Sequence, residues 1–296
     1  MKNPSLFNRH SSLSVKSPAK INWLLKVIGK RNDGYHNIIS MMQCISLYDN
    51  LVFEHADTIE VVSDLDTPLD NNLVYKAASL LKQYTSYRKG VKIILQKGIP
   101  VSAGLGGGSS DAAYTLSGLN MLWGTELNDE ELSSIGTEIG SDVPFFFNGP
   151  FAIVEGRGEK VSPVKLNSST VLLLVKPHVS VSTAWAYASF DKLNDSRLTK
   201  KSIDIKLFCQ TFKKKDFASL STMLSNDLED VIIDRYPVVG EIKNRLLERG
   251  AAISAMSGSG PTVFGVFDNK DMAEKAIETM WPSAYGGWYK VVDTLI

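Results

Sequence analysis

The spacing of apolar residues along the chain alternates between two patterns. Where apolar side chains recur every three to four residues, the pattern predicts an amphipathic helix with one face on a core. Five segments have this spacing, namely 73–84, 109–123, 129–140, 182–190 and 236–250. Gly140 and Gly250 end two of these segments and Pro237 opens the last, so the predicted boundaries have the residues typical of helix ends.

Shorter apolar runs predict strands. Residues 13–27 predict two strands separated by a turn at "SPAKIN", and residues 38–56 predict a strand broken at Asp49-Asn50. Asp33-Gly34, between these regions, is a tight-turn signal. Further strands are predicted at 90–100, 170–177, 251–256 and 262–267. The polar stretch 200–216 is weakly patterned and predicts no regular element.

The mixture of helices and strands over 296 residues predicts two domains of the α/β (α+β) class. We place the boundary near residue 160, which gives an N-terminal domain at 1–160 and a C-terminal domain at 161–296. Each domain would then contain one glycine-rich loop, at 104–108 and at 257–260. The polar segment before the first strand is expected to be a frayed tail.

Charge and composition narrow the classes of partner. The 32 basic and 32 acidic side chains cancel, which argues against a nucleic-acid partner or a polybasic membrane surface. No apolar run approaches the ~20 residues of a membrane span, and the N-terminal tail lacks the apolar stretch of a secretory signal. We therefore expect a cytoplasmic protein, a monomer or weak homodimer, in which Cys44 and Cys209 are buried free thiols.

The stretch "PVSAGLGGGSSDAAYTL" at 100–116 predicts an anion site. Glycines let backbone N–H groups turn inward, and the start of the next helix adds unpaired N–H groups and a positive dipole. The stretch lacks the GK[ST] of a P-loop, and Ser109 stands where the third glycine of GxGxxG belongs. A tight turn without a ligand is the alternative. Ser109 and Ser110 are candidates to cap the helix or to contact a phosphate or metal.

Asp111 follows these serines and creates a conflict. An acid in the first helical turn suits the helix dipole, but its charge would repel a bound phosphate. It either points away in a structural role, which we favour, or works with a cation that bridges it to phosphate.

Three motifs resemble those of the GHMP kinases and occur in the order expected for that family. They are "SPAKINWLLKVIGKRNDGYHNI", "PVSAGLGGGSSDAA" and "MSGSGPTVFGVF", and they span 17–267. The resemblance implies an N-terminal domain like the second domain of ribosomal protein S5 and a ferredoxin-like C-terminal domain. It also implies that substrates bind in the cleft between the two domains.

The "GKRNDGYHNI" part of the first motif is similar to one subgroup of that family, whose acceptor is a cytidine diphosphate-linked methylerythritol. The resemblance implies that ATP donates its γ-phosphoryl group to the 2-hydroxyl of this acceptor, in the non-mevalonate route to isoprenoid precursors. A kinase of the same family acting on mevalonate or homoserine is the alternative, although neither acceptor has a cytosine for "DGYH" to recognise. A nucleotide-binding protein without catalysis is the third hypothesis.

The resemblance assigns catalytic roles to two residues. Lys20 in "PAKIN" matches the family's catalytic lysine, and Asp142 in "GSDVPFF" matches its catalytic aspartate. A carboxylate can take the proton of the acceptor hydroxyl, and an ammonium can offset charge on the transferring phosphoryl group. Asn22 lies two residues after Lys20, on the same face of a strand, where it could position the acceptor or equally cap the end of the strand. Without the resemblance, Asp142 would be a turn residue and Lys20 a surface charge.

Recognition of the acceptor is assigned by the same resemblance. Tyr35 and His36 match the pair that recognises cytosine, with the ring stacking on the base and the imidazole hydrogen-bonding its polar edge. The alignment of "VSVST" at 179–183 puts a second aromatic wall at Tyr187, with Trp185 as the competing ring. Thr183 is a further candidate contact.

For ATP, the resemblance implies that the first glycine-rich loop wraps the phosphates, with Lys97 and Asn72 near the nucleotide. Mg²⁺ is expected together with ATP, and Ser110 is its candidate ligand. The loop residues assigned to ATP are Pro100, Val101, Ser102, Ala103, Gly104, Leu105, Gly106, Gly107, Gly108, Ser109 and Ser110.

Overall fold

The computed structural model describes residues 12–64, 68–193, 204–280 and 287–296. Within these residues the chain forms two compact units, each assembled from separate stretches of sequence. Unit 1 is formed by the described parts of 1–18, 47–99 and 107–147, and unit 2 by those of 19–46, 100–106 and 148–296. The second glycine-rich loop and residues 104–106 of the first therefore belong to unit 2, whereas residues 107–108 belong to unit 1. The domain boundary near residue 160 stays a prediction.

Unit 1 combines a small sheet with helices. Strand β4 (Gly90–Gln96) pairs antiparallel with the second half of β2 (His36–Ala56) and parallel with β3 (Ile59–Ser63). The helices are α1 (Leu73–Thr85), α2 (Gly107–Trp123) and α3 (Asp129–Ile139), followed by a 3₁₀ helix at Val143–Phe147.

The predicted apolar stripe of α2 is confirmed. Its four members are buried, namely Ala112, Leu116, Leu119 and Trp123. Gly118 lies on the same helix, and a Cβ built there would be 2.6 Å from the Phe53 ring of β2. The absence of a side chain at this position therefore lets α2 approach the sheet closely.

Unit 2 contains the rest of the two long strands. The first half of β2 pairs antiparallel with β5 (Phe151–Gly156), which pairs in turn with β6 (Lys160–Pro163). Strand β1 (Leu13–Lys30) enters this unit at residue 19 and pairs in parallel with a two-residue strand at Ser225–Asn226, which is β8.

A second sheet of unit 2 is antiparallel throughout, in the order β11-β7-β10-β9. Its strands are β7 (Val171–Pro177), β9 (Ile253–Met256), β10 (Val263–Phe267) and β11 (Gly287–Asp293). Between β7 and β9 lie α4 (Thr183–Leu193), α5 (Ile205–Lys213), α6 (Phe217–Ser221), α7 (Glu229–Arg235) and α8 (Pro237–Glu248), and α9 (Lys270–Met280) connects β10 to β11. This β-α-β-β-α-β order confirms the ferredoxin-like C-terminal region.

The core of unit 2 includes large aromatic rings. Trp23 is 1% exposed and meets Phe212 and Phe264 edge-on, with ring centroids 5.0 and 5.4 Å apart. Its indole N–H donates to Gln43 Oε1 at 2.7 Å, so the polar atom of the buried ring is satisfied.

Three expectations about secondary structure were wrong. Strand β1 continues through Pro18, and β2 continues through Asp49. The Asp49 carboxylate accepts hydrogen bonds from Gly98 and Ile99 N–H instead of capping a turn in its own strand. Part of the stretch 200–216 is the helix α5, because Phe208 and Phe212 are four residues apart and both buried.

The cysteine prediction is confirmed for one residue. Cys44 is buried and free, and burial raises the pKa of its thiol to about 12. Cys209 is free but only half-buried. The N-terminal tail and residues 200–203 lie outside the described residues.

Candidate functional site

The first glycine-rich loop lies against strand β1 within unit 2. Lys20 N–H donates to Leu105 O at 2.9 Å. The Lys20 ammonium is buried with its residue at 3% exposure and donates to Asn22 Oδ1 at 2.6 Å. The structure thus brings Lys20 and Asn22 together on one face of the strand, as their spacing predicts.

Two glycines of this loop have positive φ, +75° at Gly104 and +69° at Gly106. A Cβ at Gly104 would lie 2.3 Å from Ser257 O, and one at Gly106 would lie 2.8 Å from Lys20 Cγ. Both positions therefore require glycine for backbone conformation and for space. Ser102 has φ +50° as well, so left-handed residues alternate along the loop, which is the backbone pattern of an anion-binding nest.

The second glycine-rich loop, 257–260, holds the first one in place. Ser257 Oγ donates to Gly104 O at 2.9 Å and accepts from Asn22 N–H at 3.2 Å. Asn226 donates its amide to Gly258 O at 2.7 Å. No role was predicted for Ser257 or Asn226, although the motif containing the serine was recognised.

Thr183 belongs to the same neighbourhood of unit 2. Its hydroxyl and that of Ser259 lie 2.8 Å apart, so the start of α4 is tied to the second loop. This hydroxyl pair was not expected, because the third motif assigns no role to Ser259.

Three of the residues assigned to the acceptor carry rings. His36 is 9% exposed and stacks on Tyr187, with centroids 4.9 Å apart and planes 25° apart. Tyr35 is 51% exposed, and the Arg157 guanidinium lies 5.3 Å from its ring centroid. The structure therefore groups His36 with Tyr187 and leaves the Tyr35 ring open to a ligand.

His36 has a charged partner that the sequence did not suggest. Its Nε2 lies 2.7 Å from Asp191 Oδ1, and Lys30 Nζ donates to Asp191 Oδ2 at 2.7 Å. Asp191 is 155 positions from His36 in sequence, so no local pattern could have identified it.

In unit 1, helix α2 begins at Gly107, earlier than predicted. Ser109 and Ser110 are therefore inside the first turn and are not N-cap residues, and the expectation that they cap the helix was wrong. Ser110 Oγ is fully buried and has no hydrogen-bond partner among the described residues. Such a hydroxyl is a candidate for a ligand contact.

Asp111 lies one turn into α2 and joins a buried ion cluster. Its two oxygens accept from Ser17 Oγ at 2.6 Å and from Lys97 Nζ at 2.8 Å. Lys97 also contacts the Asp49 carboxylate, and the three ionic side chains are at most 10% exposed. We call Lys97, Asp49 and Asp111 the lysine–carboxylate cluster. Asp111 is an ion-pair partner inside the helix, and the structural role that we favoured for it stays a prediction.

The electrostatics of this cluster follow from two carboxylates sharing one ammonium. Burial raises the pKa of Asp111 from 3.8 to about 6, with Asp49 adding repulsion and Lys97 opposing it. Burial lowers the pKa of Lys97, but attraction by Asp111 and Asp49 outweighs burial and raises it overall. The ammonium is therefore held charged, while one of the carboxylates is disfavoured as an anion.

Within unit 1, the lysine–carboxylate cluster lies among the residues that flank the first loop in sequence. Asp49 Oδ1 accepts from Gly98 N–H at 2.6 Å and from Ile99 N–H at 2.8 Å. A Cβ built at Gly107 would lie 3.0 Å from Ile99 Cγ2 and 3.4 Å from Lys97 Nζ. The residues on either side of the loop therefore touch. Lys97, predicted near the nucleotide, makes its observed contacts with these two carboxylates.

Asn72 and Asp142 are also in unit 1. Asn72 is the N-cap of α1, and its side-chain oxygen accepts from Val74 and Tyr75 N–H at 3.0 and 3.3 Å. Asp142 is half-buried between Gly140, which ends α3, and the 3₁₀ helix. A Cβ at Gly140 would be 3.9 Å from Ser109 Oγ, so the "GSD" segment lies beside the first turn of α2.

A resident metal cage is not found among the described residues, where no group of three or more histidine, cysteine or acidic side chains is arranged to hold an ion.

Across the described part of the chain, no helix is long and apolar enough to cross a membrane.

Comparison with known sequences gives a consistent result. Residues 72–150 match the family described as GHMP kinases N terminal domain, and residues 206–286 match GHMP kinases C terminal. A 4-diphosphocytidyl-2-C-methyl-D-erythritol kinase of Thermodesulfovibrio yellowstonii is 47% identical, covering 96% of this chain and 98% of its own. The enzyme of the same name from Clostridioides difficile is 43% identical, covering 88% of each chain.

Solved structures agree with these matches. A crystal structure of 4-(cytidine 5'-diphospho)-2C-methyl-D-erythritol kinase superposes with a TM-score of 0.81 at 30% identity, over 95% of this chain and 99% of that one. Mevalonate kinase from L. major superposes with a TM-score of 0.75 over 96% of this chain and 97% of that one, but at 16% identity. The second similarity concerns the fold alone.

Proposed function

Because this chain belongs to the GHMP kinase family, we propose that it uses ATP to phosphorylate the 2-hydroxyl of 4-diphosphocytidyl-2-C-methyl-D-erythritol, in the non-mevalonate route to isoprenoid precursors. The observation that supports this acceptor best is the stacked pair of His36 and Tyr187, together with the exposed ring of Tyr35, which precedes His36 in sequence. Stacking faces and one imidazole edge suit a planar base that has polar atoms on its rim. Mevalonate and homoserine have no such base.

We assign the phosphates of ATP to the first glycine-rich loop and the first turn of α2, 100–110. Positive φ at Gly104 and Gly106 lets neighbouring N–H groups turn toward one anion. The first turn of α2 supplies N–H groups without intrahelical partners. Asn72 and Lys97 are assigned to the surroundings of the nucleotide, where Asn72 fixes the start of α1.

We propose that the acceptor's 2-hydroxyl oxygen attacks the γ-phosphorus of ATP while Asp142 takes up the proton of that hydroxyl. The bond from the γ-phosphorus to the β,γ-bridging oxygen breaks, and ADP leaves. Lys20 offsets the charge on the transferring group, and the bond to Asn22 fixes the direction of its ammonium. Thr183, tied to Ser259, is assigned to the acceptor.

Mg²⁺ fits this assignment through an oxygen ligand. The buried hydroxyl of Ser110 lacks a hydrogen-bond partner among the described residues, and Mg²⁺ prefers oxygen ligands, of which ATP itself supplies several. When bound, the ion would neutralise phosphate oxygens, and we assign Ser110 as its protein ligand.

The acceptor is tested by incubating the protein with ATP and, separately, the cytidylated methylerythritol, mevalonate and homoserine, with phosphorylated product measured by mass spectrometry. We expect turnover of the cytidylated acceptor alone. Turnover of mevalonate or homoserine without the cytidylated acceptor would contradict the proposal, as would ATP binding without transfer to any acceptor.

The assignment of Asp142 is tested by Asp142→Ala, with Asp129→Ala, an exposed acid of α3, as the control. We expect a loss of about 10² to 10⁴ in kcat, the range for a general base, and ATP affinity within a few fold. The control should retain normal kcat. Loss of ATP binding by Asp142→Ala would mean that the residue has another role.

We also propose that the protein acts in the cytoplasm as a monomer or weak homodimer, without nucleic-acid or membrane partners. The balance of 32 basic and 32 acidic side chains supports the absence of nucleic-acid and membrane-surface partners. Sedimentation at several protein concentrations tests the oligomeric state.

A further inference from the structure

Asp191 is the charged partner of the one histidine in the ring cluster, and the catalytic roles assigned above do not use it. Its Oδ1 lies 2.7 Å from His36 Nε2, and its Oδ2 accepts from Lys30 Nζ at 2.7 Å. The His36 side chain is 7% exposed, whereas that of Asp191 is 27% exposed. A buried imidazole with one nitrogen held in this way has little freedom to rotate.

The charge state of Asp191 decides which nitrogen of His36 carries hydrogen. Burial raises the pKa of Asp191, but hydrogen bonds from Lys30 and His36 outweigh burial and hold the pKa below its ordinary value. An ionised carboxylate can only accept hydrogen bonds. His36 must therefore place a hydrogen on Nε2, and in the neutral imidazole Nδ1 is then an acceptor.

Lys30 contributes by sharing the carboxylate. Lys30 pairs with Asp191 Oδ2 at 2.7 Å, so one carboxylate oxygen is taken by the ammonium and the other faces the imidazole. Among the described residues, Nδ1 has no hydrogen-bond partner of its own, and it can therefore accept from a ligand.

Stacking by Tyr187 covers a face of the imidazole and not its edge. The two ring planes differ by 25°, whereas a hydrogen bond to Nδ1 forms in the plane of the imidazole. A base that meets Nδ1 edge-on can therefore lie beside His36 and share the stacking surface of Tyr187.

We propose that Asp191 is a positioning residue that fixes His36 as a hydrogen-bond acceptor at Nδ1, so that the site selects a base with an exocyclic amine. This inference rests on the proposed function, because it specifies how the base of that acceptor is chosen. Cytosine presents an N4 amine that can donate to Nδ1. Uracil presents a carbonyl oxygen at the same position, which would place two acceptors against each other.

The test measures binding of cytidine 5′-diphosphate and uridine 5′-diphosphate by calorimetry, with a saturating non-hydrolysable ATP analogue to fill the nucleotide site. We expect wild type to prefer the cytidine compound by at least about tenfold, the effect of one well-placed buried hydrogen bond. Asp191→Ala should weaken cytidine diphosphate binding and reduce the preference to about threefold or less. An unchanged preference in Asp191→Ala, or equal binding by wild type, would overturn the inference.

Two control variants separate orientation from charge. Lys30→Met removes the neighbouring ammonium but keeps the Asp191 acceptor, so the base preference should persist. Asp293→Ala removes an ion pair with Lys270 elsewhere in unit 2, and both affinities should stay at the wild-type level. Loss of preference in Lys30→Met to the same extent as in Asp191→Ala would contradict an orienting role for Asp191.

The tautomer is observed directly in protein labelled with ¹⁵N-histidine. The His36 signals are identified by their absence in His36→Gln. We expect hydrogen on Nε2 and none on Nδ1 in wild type, and a shift in this distribution in Asp191→Ala. Hydrogen on Nδ1 in wild type would overturn the inference.

These outcomes are distinguishable from failure of the proposed function. If wild type prefers cytidine diphosphate and has the expected tautomer but does not phosphorylate the cytidylated acceptor, the proposed function fails and the role of Asp191 stands. If it phosphorylates that acceptor but binds both diphosphates equally, the inference fails and the function stands.

Discussion

Two groups of lysine and aspartate side chains differ chiefly in their access to water. In the lysine–carboxylate cluster of unit 1, the side chains of Lys97, Asp49 and Asp111 are 10%, 0% and 3% exposed. In unit 2, Lys30 and Asp191 are 59% and 27% exposed. The distances are nearly equal, 2.8 Å for Lys97–Asp111 and 2.7 Å for Lys30–Asp191.

Two ion pairs with nearly the same distance can therefore contribute very differently to stability. Removing one partner of a buried ion pair leaves an uncompensated charge in a poor solvent, whereas an exposed charge returns to water. The cluster of unit 1 should therefore act mainly on stability. The pair in unit 2 should act mainly through the ring that it orients.

The largest effect is expected for Asp49→Ala. This change removes a partner of Lys97 and leaves the N–H groups of Gly98 and Ile99 without their acceptor. Lys97 keeps Asp111 as its partner, so the loss comes mainly from the two hydrogen bonds to the charged carboxylate. At about 1.5–3 kcal/mol each, they should lower the free energy of unfolding by about 3–6 kcal/mol. Urea denaturation measures it, with Asp293→Ala as the control. A loss below about 1 kcal/mol would remove the distinction between the two groups.

An intermediate effect is expected from pH, through Asp111. Its pKa is about 6 in the folded protein against an ordinary 3.8, so between these values the folded state retains a proton that the unfolded state has lost. Stability contributed by this group is full below about pH 4 and decreases as pH rises to about 6, by up to about 3 kcal/mol.

The measurement compares wild type with Asp111→Asn at several pH values, so that other carboxylates cancel. The unfolding free energy of wild type minus that of the variant should decrease between pH 4 and 6. A difference that is constant or increases across this interval would show that Asp111 is ionised throughout.

The smallest effect on stability is expected for Asp191→Ala. Its ion pair with Lys30 is partly exposed, and such pairs contribute about 0–1 kcal/mol. The unfolding free energy should therefore change by about 1 kcal/mol or less in thermal or urea denaturation. A loss of unfolding free energy comparable to that of Asp49→Ala would show that both groups act mainly on stability.

Much of the fold could be predicted from local patterns. The stripe of α2 and the proline and glycine that bound α8 depend on neighbours within a few turns, and these predictions are confirmed. The break expected at Asp49 was wrong because the partners of its carboxylate, Gly98 and Ile99, are 49 and 50 residues away. A residue typical of turns can stay inside a strand when its side chain accepts hydrogen bonds from N–H groups that are distant in sequence.

The candidate site divides in the same way. The pairing of Lys20 with Asn22 follows from strand periodicity. Asp191 and Ser257 could not be identified, because their contacts with His36 and Asn22 join residues 155 and 235 positions apart. Long-range contacts of this kind form only once the sheet is assembled, so no local pattern of residues in the sequence indicates them.

The close approach of the two glycine-rich loops has a consequence for how this protein tolerates change. A Cβ at Gly104 would meet Ser257 O at 2.3 Å, and one at Gly258 would meet Gly104 O at 3.2 Å. A substitution in one loop is therefore constrained by the backbone of the other, although 153 positions separate Gly104 from Ser257. A loop transplanted from another protein in one place alone would collide with the resident backbone of the other, so the two must be exchanged together.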